Sequence, residues 1–165
     1  MVQILYTPNT SGVMKMVQAA SECFCQGECF ATEILPDMAL PTAELYLIGF
    51  YLSRDVLPYP VVSLLEKLEG QQLCFFACGP LCEAVQFRTR FEKQLEAFLP
   101  DRCKHHGLFL CSSEPLQEEW DRYTAQHNGD EAAIEQLRTL TVGRPDQNDL
   151  KRLQAFVMQL KAEVR

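Results

Sequence analysis

Between Glu44 and Gly49 the chain reads Leu45-Tyr46-Leu47-Ile48, with no charge and no alternation of polar and apolar positions. A strand of that kind has to be covered on both faces, which places it inside a parallel sheet flanked by helices. The neighbouring sequence repeats the theme. Val2 to Tyr6 is a short apolar run ended by the turn-rich loop Thr7-Pro8-Asn9-Thr10-Ser11-Gly12, after which Val13, Met16, Val17 and Ala20 recur at helical spacing. Cys29 to Leu35 reads as a second strand, ended by Pro36. Beyond the third strand, Pro60 opens a helix with Val61, Leu64, Leu65 and Leu68 on one face, closed by Gly70. Gln72 to Ala77 is a fourth strand, and the helix after it carries Val85, Phe87, Phe91, Leu95 and Phe98 on its predicted inner face. Gly107 to Cys111 is the fifth strand. Ser112 to Gly129 shows no regular period and holds Trp120; helical spacing resumes from Ala132 to Leu140. Asp146 is placed to cap a last helix with Leu150, Leu153, Phe156, Val157 and Leu160 inward.

Strands alternating with helices predict one α/β domain over residues 1–165, a doubly wound five-stranded parallel sheet in the order 2-1-3-4-5. Ligands of such sheets lie beyond the carboxyl ends of the strands at the switch point, so the loops after strands one, three and four are the functional candidates. A chain of 165 residues buries enough surface to fold without a metal or disulfide staple. No run approaches the roughly 20 apolar residues of a membrane span, and no basic-then-apolar secretory pattern opens the chain. A cytosolic protein is therefore expected. A net charge of -7 and a pI near 5.0 argue against a general nucleic-acid binder. The eight cysteines then read as free thiols of a reducing or oxygen-poor interior. Neither Cys74-x3-Cys78-x3-Cys82 nor Cys23-x-Cys25-x3-Cys29 has the pair spacing of a zinc site, and His105, His106 and His127 add no ligand pattern. The basic group Arg88, Arg90, Lys93, Arg102 and Lys104 reads as a solvated surface or a docking patch.

The segment order, together with Thr7-Pro8-Asn9-Thr10-Ser11-Gly12-Val13, Ile48-Gly49-Phe50-Tyr51 with Leu57-Pro58, Phe76-Ala77-Cys78-Gly79 and Gly143-Arg144-Pro145-Asp146-Gln147-Asn148-Asp149-Leu150, resembles the flavodoxins over nearly the whole chain. The resemblance implies a flavodoxin-like fold, noncovalent FMN, and electron transfer with a partner reductase. It implies a phosphate site in the first loop, at Thr7, Asn9, Thr10, Ser11, Gly12 and Val13, where hydroxyls, free amides and a helix dipole favour an anion. Pro8 stands where the family has glycine, and it removes one amide donor. The second loop, Phe50, Tyr51, Leu52 and Ser53, corresponds to the one that covers a face of the flavin ring, with Phe50 or Tyr51 either stacked on the ring or packed beneath the loop, and Arg54 and Asp55 as departures. Cys78, Gly79 and Pro80 would approach the ring from the other side, Gly79 allowing close backbone contact.

The resemblance implies three candidate functions. An electron-transfer flavoprotein serving a partner reductase ranks first, because the chain has no glycine-rich dinucleotide fingerprint and no acid-base constellation. A small flavin-dependent quinone or flavin reductase is the second. The third is an accessory flavodoxin-fold protein that has lost FMN, which Pro8 and Arg54-Asp55 favour.

Overall fold

The computed structural model describes residues 1–54 and 56–164, so Asp55 of the second loop lies outside the described residues. Strands β1 (Val2–Tyr6), β2 (Cys29–Glu33), β3 (Leu45–Tyr51), β4 (Gln72–Gly79) and β5 (Lys104–Ser112) form one parallel sheet in the order β2-β1-β3-β4-β5. This is the predicted architecture, down to the switch point between β1 and β3. All seven residues of β3 are buried, as its apolar run requires.

Side-chain alternation along β3 and β4 builds the two cores. Tyr46, Ile48, Phe50, Leu73, Phe75 and Ala77 face α2 (Tyr59–Leu65) and α3 (Val85–Phe98), where they meet Val61, Leu64, Phe87, Phe91 and Leu95. Leu45, Leu47, Tyr51, Cys74, Phe76 and Cys78 face α1 (Ser11–Ser21) and α6 (Gln147–Val164), packing with Val13, Met16, Leu153, Val157 and Leu160. Gly49 is required by this second core, because a Cβ there would stand 2.4 Å from the Phe76 ring.

Two predicted inner faces are adjusted. On α3, Phe87, Phe91 and Leu95 are buried, but Val85 is 80% exposed and Phe98 is 43% exposed, because both lie at helix ends beyond the sheet. On α6, Leu153, Val157 and Leu160 are buried while Leu150 and Phe156 pack at the edge. Asp146 caps α6 as expected: its Oδ1 accepts from the Asp149 amide at 2.9 Å, and an Asp149 oxygen accepts from the Asp146 amide at 2.9 Å.

The stretch after β5 is more ordered than its sequence suggests. It forms α4 (Gln117–Gln126), which joins α5 (Glu131–Thr141) through a turn at Gly129. No residue of α4 is buried, which explains why no apolar stripe announced it. Its start is set instead by Glu119, which accepts from the Leu116 amide at 2.8 Å and thereby satisfies one of the donors a helix start leaves free.

Candidate functional site

The carboxyl ends of β1, β3, β4 and β5 converge on the start of α1. Thr10 is the N-cap there, its hydroxyl accepting from the Val13 amide at 3.2 Å. Ser11 and Gly12 supply first-turn amides that have no intrahelical acceptor. Gly12 sits in a tight place: a Cβ would lie 3.1 Å from Cys78 Sγ, 3.1 Å from Pro145 and 3.4 Å from Ser113, so these neighbours would have to give way. Thr7 is buried, and its hydroxyl has no hydrogen-bond partner among the described residues. Asn9, Thr10, Ser11, Gly12 and Lys15 line a cleft of about 310 Å³, closed on the far side by Ser113, Glu114, Pro115 and Arg144. Of the first-loop residues, Asn9, Thr10, Ser11 and Gly12 are brought together on this cleft, whereas Thr7 is not part of its lining and Val13 is fully buried in the core and offers only its capped amide.

The second loop differs from expectation. Strand β3 runs on through Tyr51, so Phe50 and Tyr51 are strand residues pointing to opposite faces of the sheet. Phe50 is completely buried between Phe75 and Phe91, with ring centroids 6.5 and 6.1 Å away, and has no face left for a ligand. Tyr51 is also buried, and its hydroxyl donates to Glu119 at the start of α4. Leu52 is completely buried, and its amide donates to the Cys78 carbonyl at 2.9 Å. The two ring loops are therefore closed onto each other. A Cβ on Gly79 would stand 2.1 Å from the Leu52 carbonyl oxygen, so Gly79 serves that closure.

What remains accessible is Ser53, Arg54, Pro80 and Leu81, which border a cleft of about 340 Å³ with Pro115, Glu119, Arg122, Tyr123, Gln126 and Leu137. Sequence reasoning missed the α4 and α5 members, since nothing in the pattern shows which loops they reach. Pro115 lines both clefts, so the two adjoin at the start of the α4 segment. A roomier cleft of about 630 Å³ lies at the opposite, amino end of the sheet around Met1, Phe24 and Lys161. It lies away from the switch point and holds none of the predicted loop residues, so it is not the site.

Burial keeps the thiols at the site protonated. Burial pushes the Cys78 thiol up to about 12, against the opposing hydrogen bonds of Ser113 and Thr10, and burial likewise raises Cys82 and Cys111. Among the described residues, no group of three or more His, Cys, Asp or Glu side chains is placed to hold a metal.

An ion network holds the loops around this end. Asp149, with 2% of its side chain exposed, accepts from Arg144 Nη2 at 2.6 Å and from Arg152 Nη2 at 2.6 Å. Glu83 accepts from the same two arginines at 3.1 and 2.8 Å and from the Ser112 hydroxyl at 3.1 Å. The network therefore ties the loop after β4 to β5 and to the start of α6. Burial raises the Asp149 carboxyl, but the Arg144 bonds and the Asp146 amide outweigh it and hold the group at about 2, below the ordinary 3.8. A depressed carboxylate stabilises the fold above its unfolded value, and that contribution, about 2 kcal/mol, is lost as pH falls from about 4 through about 2. Urea unfolding at pH 7 and pH 2.5 is expected to show this loss, and Asp149→Asn to remove much of the pH dependence; equal pH dependence in both proteins would contradict it.

No protein-family model matches the chain, and no curated protein is similar to it in sequence. Solved structures do match. The flavodoxin of Streptococcus pneumoniae TIGR4 aligns with a TM-score of 0.57 at 12% identity, over 98% of both chains. A short-chain flavodoxin associated with a PDU bacterial microcompartment aligns with a TM-score of 0.59 at 12% identity, over 99% of this chain and 98% of its own. Oxidised flavodoxin 2 from Bacillus cereus aligns with a TM-score of 0.52 at 11% identity, over 98% of both. Among the described residues no helix is long and apolar enough to cross a membrane. Similarity at this level of identity is similarity of fold, and the chain has a flavodoxin-like α/β fold.

Proposed function

We propose that the protein is an electron carrier of the flavodoxin type, which holds FMN noncovalently at the carboxyl end of its sheet and exchanges electrons with a partner reductase in the cytoplasm. The observation that carries this reading is the first-loop cleft. Its Ser11 and Gly12 amides, left without an intrahelical acceptor, and the Lys15 side chain on its wall suit a phosphate at a helix start. The adjoining cleft suits the ring, with Pro80, Leu81 and Leu137 as apolar wall and Tyr123 as aromatic wall.

Bound FMN would supply the capacity to carry one or two electrons. The chain's own part is to bind and orient it. Thr10 fixes the turn that presents the amides, and Gly12 lets that turn close on Cys78. Arg54 and Arg122 bring positive charge to the ring cleft, which favours negative charge there.

Fluorescence titration tests the reading. FMN is expected to bind at least tenfold more tightly than riboflavin, and Lys15→Glu to remove most of that difference, since charge-assisted contacts contribute about 1.5–3 kcal/mol each. Equal affinity for the two would remove the phosphate cradle, and no binding of either would overturn the reading. A flavin-free accessory protein is the second reading, favoured by the closure of Leu52 onto Cys78 and Gly79 where a ring slot was expected.

A further inference from the structure

The pair α4–α5 is cohesive within itself and sparsely attached to the rest of the protein. Within the pair, Tyr123 stacks on His127 at 4.1 Å and packs edge-on to Trp120 at 6.3 Å. The Arg138 guanidinium of α5 lies over the Trp120 ring at 5.8 Å, and the Tyr123 hydroxyl donates to the Ala133 carbonyl at 3.4 Å. Against the body, α4 buries no residue and α5 buries only Leu137 and Thr141. Leu137 belongs to neither core. Among the described residues the polar attachments are few: Tyr51 to Glu119 and to the Glu114 carbonyl, the Gly143 amide to Glu114 at 2.7 Å, and the Arg144 amide to the Thr141 carbonyl at 3.1 Å. The pair is joined to the body at Pro115 on one side and at Gly143 on the other, the latter with a φ of +74° that favours glycine.

We propose that α4–α5 is a hinged lid over the cleft of Ser53, Arg54, Pro80 and Leu81, and that the Tyr51–Glu119 hydrogen bond is its latch. Four residues of α4 and one of α5 line that cleft, so lifting the pair opens it along one side. The latch is strong because the acceptor is a carboxylate and the donor is buried. It is also costly to keep closed. The second Glu119 oxygen is buried with no hydrogen-bond partner, and lifting the lid returns it to water. Burial and Glu119 together raise the Tyr51 hydroxyl far above its usual range, so it stays a donor throughout ordinary pH. A latch with one satisfied and one orphaned oxygen holds the lid shut without fixing it there. The inference rests on the flavin reading only for the identity of what enters the cleft.

Hydrogen exchange by mass spectrometry on the full chain tests it. Residues 117–141 are expected to exchange as one unit, well before β1, β3 and β4. Tyr51→Phe keeps the ring packing and removes the latch, and should speed exchange of that unit by about tenfold or more while leaving the strands unchanged. Glu119→Gln, which keeps an acceptor but not the charge, should give a smaller acceleration. Exchange of residues 117–141 only together with the strands, or no change in either variant, would overturn the lid. Saturating FMN is a separate arm. Slowed exchange of the unit supports a lid over the flavin cleft, whereas a lid that exchanges early and ignores FMN contradicts the flavin reading and leaves the hinge standing.

Discussion

Phe50→Ala is expected to lower the stability of the protein by about 3–5 kcal/mol, a fall of roughly 6–20 °C in Tm for a chain of this size. Phe50 is wholly buried between Phe75 and Phe91, and truncation leaves a cavity that strand and helix backbones cannot fill. The same replacement at a flavin-stacking position would cost little stability and much affinity. Denaturant unfolding together with an FMN titration separates the two roles. A variant of near-normal stability with FMN affinity lost would return Phe50 to the ligand.

Gly79→Ala should be nearly as damaging, by about 3 kcal/mol or more, because the added methyl meets backbone rather than a side chain that can swing away. Its Cβ would stand 2.1 Å from the Leu52 carbonyl oxygen and 3.2 Å from Cys82 Sγ. Relief requires the loop after β3 to separate from β4, which breaks the Leu52 amide bond to Cys78. Thermal unfolding checks the size of the effect. A Tm within a few degrees of the parent would mean that the loops part easily, and would weaken the case that the ring slot is closed.

Both positions show where the sequence stopped being informative. The sheet order was legible because each strand is a local apolar run and each crossover a local helical period, as in Leu45 to Ile48 and in Val61, Leu64 and Leu65. The first loop was legible for a similar reason: Thr10, Ser11 and Gly12 act on the helix they begin. Phe50 and Tyr51 were misplaced because the end of β3 is decided by pairing, not composition. The ladder to β4 continues through Tyr51 and Cys78, and an apolar pair reads the same in a strand as in a covering loop. Helix α4 was invisible because it buries nothing, and its contact with Tyr51 spans 68 residues of chain. Asp149 gave no sign of its burial either. Its partners Arg144 and Arg152 are near in sequence, but Glu83, which binds the same arginines, arrives from the loop after β4.

Under the proposed function, one flavin spans the two adjoining clefts at the carboxyl end of the sheet. Amide chemical shifts of isotope-labelled protein, followed during FMN addition, test this arrangement. The expected result is saturable movement of Ser11, Gly12, Ser53, Arg54, Leu81 and Tyr123, with Val2, Phe24 and Gln72 at the opposite end unmoved. An unchanged spectrum at high FMN, or movement confined to Val2, Phe24 and Gln72, would contradict it.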